Sequence, residues 1–90
     1  MATASYDFEG MRAQAGKVLN GASDLSNLIT TIDGVVRDMA GAWNDPAQKK
    51  FETQWTEMSA TLKKYIPIIE DYGKAVIAHA DKIDEAGRQI

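Results

Sequence analysis

Residues 41–55 read Gly-Ala-Trp-Asn-Asp-Pro-Ala-Gln-Lys-Lys-Phe-Glu-Thr-Gln-Trp and separate two long stretches of heptad-spaced apolar residues. Asp45 followed by Pro46 marks a helix start. The carboxylate can accept a free amide of the first turn, and proline lacks the amide that would be unbonded there. Gly41 suits the left-handed residue just past the end of a preceding helix. With only residues 41–45 between them, the two helices must run antiparallel, side by side. The pattern predicts one all-α domain over residues 1–90, with helix one at about 8–40, a turn at 41–45 and helix two at about 46–87.

Upstream of the turn, apolar residues recur at Phe8, Met11, Ala15, Val18, Ala22, Leu25, Ile29, Ile32, Val36 and Met39. Steps of three and four alternate, which keeps one stripe of a helix turned toward a neighbour. Asp7 stands where a cap is needed. Gly10, Gly16, Gly21 and Gly34 each weaken this helix by about 1 kcal/mol relative to alanine, so packing must hold it. Small residues at Ala15, Gly16, Gly21 and Ala22 offer a place for close approach.

Downstream, the stripe reads Phe51, Trp55, Met58, Leu62, Tyr65, Ile69, Tyr72, Val76, His79, Ile83, Ala86 and Ile90. Lys63, Lys64, Glu70, Asp71, Lys74, Asp81, Asp84, Glu85 and Arg88 fall on the expected wet face. Pro67 removes a backbone bond inside this helix. The register runs through it unchanged, so a kink is expected; a break near Tyr65, giving three helices, is the alternative.

A chain of 90 residues buries a smaller share of its surface than a larger protein does. It has no cysteine for a disulfide and one histidine, too few for a zinc site, so no metal or cofactor is expected. Association is the remaining source of core. Leu19, Leu28 and Val35 flank the stripe of helix one, and Ile66 and Ile68 that of helix two; one neighbour cannot cover so wide a band. A second hairpin completing a four-helix bundle would, through Leu19, Leu25, Leu28, Ile29, Ile32, Val35, Leu62, Ile66 and Ile69. That hairpin can be a second copy or a similar chain.

Several classes of function are disfavoured. A net charge of −3 spread along the chain gives no basic surface for nucleic acid. No stretch approaches the roughly 18 apolar residues of a membrane span, and the mixed charge opposite the stripe argues against strong lipid binding. Asp7, Glu9, Arg12 and Lys17 break up the first twenty residues, which do not read as a cleavable signal peptide. Catalytic sets are absent: no cysteine nucleophile, no Gly-x-Ser-x-Gly elbow, no phosphate loop and no paired histidines. His79 on the stripe reads as a rim residue in preference to a pH-sensitive point.

Trp43, Ala47, Phe51 and Trp55 match W-x-G-x-A-x-x-x-F-x-x-x-W, the turn pattern of the WXG family of helical hairpins, also called the early secreted antigenic target family. The chain resembles that family over its whole length, with Asp45 where the family has glycine. Aspartate favours a cap where glycine permits a left-handed turn, so the turn itself is expected to differ. The resemblance implies export by a type VII secretion system as a homodimer or heterodimer recognised by a membrane-bound ATPase. It also makes Trp43, Asp45, Ala47, Phe51 and Trp55 the candidate recognition motif. The family's tyrosine followed four residues later by an acid is absent, since Ile69 follows Tyr65 and Val76 follows Tyr72. The alternatives are a cytosolic helical adaptor or chaperone and, less favoured, a membrane-active effector.

Overall fold

Two capping aspartates define where the helices begin. The Asp7 carboxylate accepts the Gly10 amide at 2.9 Å and opens α1 (Phe8–Ala42). The Asp45 carboxylate accepts the Gln48 amide at 2.9 Å and opens α2 (Pro46–Arg88). The computed structural model describes residues 5–88, and these two helices are its only regular elements. Ile90 and the Arg88 side chain lie outside the described residues.

The end of α1 differs from the expectation. Gly41 is helical, α1 continues to Ala42, and no glycine among the described residues has positive φ. Trp43 is the cap instead, in extended backbone (φ −148°, ψ 116°), with its amide donating to the Met39 carbonyl at 2.8 Å. The link therefore shrinks to residues 43–45. Pro67 lies inside α2 without ending it, which disposes of the three-helix alternative. It sits on an exposed position, where a missing backbone bond leaves the carbonyl open to water.

The helices pack antiparallel: Asp33 of α1 meets Trp55 of α2, and Arg12 meets Asp81 and Asp84 at the far end. The inner line of α1 is Ala15, Ala22 and Ile29, one heptad apart and at most 2% exposed. On α2 the inner lines are Trp55, Leu62, Ile69, Val76 and Ile83, half-buried, and Ser59, Ile66, Gly73 and Ala80, of which all but Ile66 are buried.

This corrects half of the stripe expected for α2. Phe51, Met58, Tyr65, Tyr72, His79 and Ala86 are exposed, and the smaller row Ser59, Ile66, Gly73, Ala80 takes their place inside. Small residues win because the backbones come close. A Cβ built on Gly73 would lie 2.9 Å from Leu19 Cδ2 and 3.2 Å from the Ala15 carbonyl oxygen. Gly16 and Gly21, expected to allow close approach, face open space, whereas Ala15 and Ala22 are buried as that reading requires.

The product is a rod of 69 × 21 × 18 Å with a radius of gyration of 20.5 Å, against about 12 Å for a compact domain of this length. Its accessible surface is 6901 Å², against about 5,200 Å² for a compact monomer of 9.9 kDa. The excess, about 1,700 Å² on one chain, is about twice the 800 Å² or so that a standard interface takes from each partner.

Candidate functional site

The turn is built on short polar contacts. Besides the Gln48 amide bond, the Lys49 amide donates to the Asp45 carbonyl at 3.2 Å. The Asp45 carboxyl is held below its usual range, chiefly by the Gln48 amide, with further bonds from the Trp43 side chain and the Ala47 amide. Aspartate thus replaces a left-handed turn with a cap, and the chain reverses without any positive φ. The group's folded pKa is depressed, so its contribution is full above the unfolded value of 3.8 and is lost as pH falls through the lower native value. Thermal melts of native protein and Asp45→Asn, compared from about pH 6 to about pH 2, are expected to show a smaller acid-induced fall in the variant, because asparagine caps without titrating. Identical falls would remove Asp45 from the acid response.

Trp43, 41% exposed, lies tilted on Phe51 with ring centroids 6.1 Å apart. Together with Val36, Met39, Gln48 and Glu52 these rings line an open groove of about 220 Å³ at the turn end. Gln48 is buried at the base of the turn, where its Nε2 donates to Glu52 Oε2 at 2.9 Å. Trp55 belongs elsewhere. Its indole Nε1 donates to Asp33 Oδ1 at 2.7 Å, and Lys63 stands 3.7 Å from Asp33, so this tryptophan ties α2 to α1. The turn motif therefore divides: Trp43, Asp45 and Phe51 cluster, Ala47 is exposed beside them, and Trp55 serves the seam.

The two long sides of the rod are unlike. The groove side takes in Met39 and Phe51, and heptad spacing carries it along Val18, Leu25 and Ile32 on α1 and Met58, Tyr65 and Tyr72 on α2. Leu28 and Val35, both exposed, widen it. The opposite side is polar. Arg12 contacts Asp81 at 2.8 Å and Asp84 at 3.0 Å, and these carboxylates, Asp84 first, raise the guanidinium's pKa. Lys49 and Thr53 line that side near the turn, and the Asp33–Lys63 pair lies on it farther along.

The residues expected to meet a partner fall into three groups. Leu28 and Val35 are exposed on the apolar side, with Leu25 and Ile32 half-buried beside them. Ile29 is buried in the seam and Leu19 packs against the Gly73 position, so both serve the hairpin itself. Leu62, Ile66 and Ile69 are half-buried between these extremes. The sequence reading missed Asp33, Gly73 and the exposed aromatic row. Asp33 shares a heptad position with Arg12, but Leu19 and Ala40 fall in the same row, so no repeat of polar residues marked it. His79 is exposed, in the same heptad position as Tyr72.

Among the described residues no three histidine, cysteine or carboxylate side chains are grouped to hold a metal ion, and no helix is long and apolar enough to cross a membrane.

Comparison with known proteins agrees with the hairpin. The WXG100 family model, described as proteins of 100 residues with WXG, matches residues 3–88. The type VII secretion system extracellular protein A of Staphylococcus aureus (strain USA300) is 21% identical over 90 residues, covering 100% of this chain and 93% of that protein. Among solved structures, wild-type secreted protein EsxB from Bacillus anthracis superposes with a TM-score of 0.83 and 26% identity, covering 94% of this chain and 99% of the other. Its E54Q mutant gives a TM-score of 0.82 at 26% identity, covering 97% of each chain.

Proposed function

This chain belongs to the WXG100 family, and from that premise we propose that it is a small non-enzymatic protein exported by a type VII secretion system as a paired helical hairpin. Residues 1–90 act as one unit. The observation that carries the reading is the uncovered apolar side: Phe51 is 55% exposed and Tyr72 62%, in a rod whose other side is polar. Monomeric soluble proteins rarely leave a continuous strip of this kind in water. A similar hairpin laid on it completes a four-helix bundle and buries Leu25, Leu28, Ile32 and Val35 with the aromatic row.

In this reading the Trp43 turn, with Asp45, Ala47 and Phe51, is the part offered to the secretion ATPase, and Trp55 holds the helices beneath it. The absent tyrosine-and-acid signal is supplied by the partner or by the segment after His79. Export follows folding in the cytoplasm.

The test is export from a host with an intact type VII system and from the same host lacking its ATPase. The native chain is expected in the medium only in the first. Trp43→Ala is expected to pair normally in the cell yet reach the medium at a level reduced about tenfold or more, as removal of an aromatic anchor does. Retention of the native chain while a control substrate is exported would establish the cytosolic adaptor instead.

A further inference from the structure

Resting on the reading of the apolar side as the face that receives another hairpin, we propose that Met39 and Met58 form an oxidation site: a hydroperoxide converts their thioethers to sulfoxides in the unpaired chain, and a chain so modified stays single. Both side chains reach water while the hairpin is alone, Met39 at 44% exposed and Met58 at 53%. Both also stand on the strip that a partner would cover. Met39 lines the groove with Trp43 and Phe51, and Met58 follows Phe51 by one heptad in the exposed row that continues to Tyr65. The chain has no cysteine, so no thiol competes for the oxidant and thioethers are its whole sulfur chemistry.

The reaction balances without help from the rest of the protein. A lone pair on Sδ attacks the terminal oxygen of the hydroperoxide, the O–O bond breaks, and an S=O bond forms. The proton of the transferred oxygen passes to the departing alkoxide or hydroxide, which leaves as alcohol or water. Sulfur loses two electrons and the peroxide gains them. What results is a polar, chiral group where a flexible apolar one stood. Closed against a partner with no donor to meet it, that oxygen costs desolvation as well as the lost apolar burial.

The seam explains why this chemistry addresses pairing and leaves the fold alone. Its buried residues, Ala15, Ala22 and Ile29 on α1 and Ser59, Gly73 and Ala80 on α2, include no methionine. In the single hairpin a sulfoxide at Met39 or Met58 keeps water beside it, so the contact between α1 and α2 is retained. Pairing and oxidation therefore compete for the same two sulfurs: a partner shields them, and modification excludes the partner. Met11, half-buried at the far end of α1, is the internal reference.

The test adds hydrogen peroxide to native chain that is either diluted until unpaired or concentrated until light scattering shows pairs. Where the purified chain weighs as one copy, a co-expressed similar hairpin supplies the partner. Peptide mass spectrometry of the dilute chain is expected to find sulfoxide at Met39 and Met58 before Met11, and modification of the first two about tenfold slower in the pair. Oxidised chain is expected to keep its helical circular dichroism and to pair at least about a hundredfold more weakly. Treatment with a methionine sulfoxide reductase is expected to restore pairing. The double variant Met39→Leu, Met58→Leu conserves apolar volume; it is expected to pair within about tenfold of native and to ignore peroxide. Oxidised native chain that pairs with unchanged affinity, or a double variant that loses pairing equally, overturns the proposal. A native chain that never pairs, before any peroxide is added, overturns the paired-hairpin reading beneath it.

Discussion

Replacing Leu28 and Tyr65 together by aspartate is expected to abolish pairing while leaving the hairpin folded. Both side chains are more than half exposed in the single chain, at 55% and 52%, so neither contributes much to the contact between α1 and α2. Exposed substitutions of this kind change intramolecular stability by about 0.5 kcal/mol or less. In the bundle each would be buried, forfeiting about 1.5–3 kcal/mol of apolar burial and placing a carboxylate in a closing interface. Any two-fold pairing repeats each loss, so affinity is expected to fall by at least about a thousandfold. Light scattering and helical circular dichroism check the two halves of the prediction. Thr53→Asp on the polar side is the control and is expected to change neither. A double variant that still weighs as a dimer would remove the apolar side from the interface.

The second large effect is expected at Gly73. Valine there would put a branched side chain where a bare Cβ already lies 2.9 Å from Leu19 Cδ2 and 3.2 Å from a backbone oxygen of the facing helix. The leucine can shift, but the Ala15 carbonyl belongs to a helix and cannot. Overpacking of this kind costs about 1–3 kcal/mol, outweighing the few tenths gained on leaving glycine in a helix. At fixed protein concentration the melting temperature is expected to drop by roughly 10 °C. Gly34→Ala makes the opposite prediction, because nothing lies within 4 Å of its Cβ position, and stabilisation by about 0.5–1 kcal/mol is expected. A Gly73→Val protein that melts at the native temperature would mean that the helices do not touch there.

Much of the candidate site could be read directly, because its determinants are local. Asp45 and Pro46 announce a cap and a first helical residue by side-chain chemistry alone, and both do what that chemistry permits. The Trp43 pattern was legible only through its resemblance to the family's turn motif. The assignment of Gly41 as the terminal residue was not, since a glycine after an apolar repeat is consistent either with a left-handed stop or with another helical residue. The Trp43 amide bond to Met39 settles it. The inward side of α2 was misread at Phe51, Met58, Tyr65 and Tyr72 because heptad spacing alone does not say which of two adjacent rows turns toward the facing helix. In a seam of two closely approaching backbones, Ser59, Gly73 and Ala80 fit and the larger side chains do not.

Taken alone, the sequence determined that this protein is two long antiparallel helices joined by a capped turn. Heptad period, capping chemistry and the short link each act within a few residues, and no distant contact is needed to evaluate them. Tertiary structure decided which of several apolar rows would face inward. That choice depends on the distance between helices, which Leu19 and Gly73 set across 54 positions of sequence, and on polar ties such as Asp33 with Trp55. Once the small row has closed the seam, the large row is left on the outside, where water makes a companion favourable.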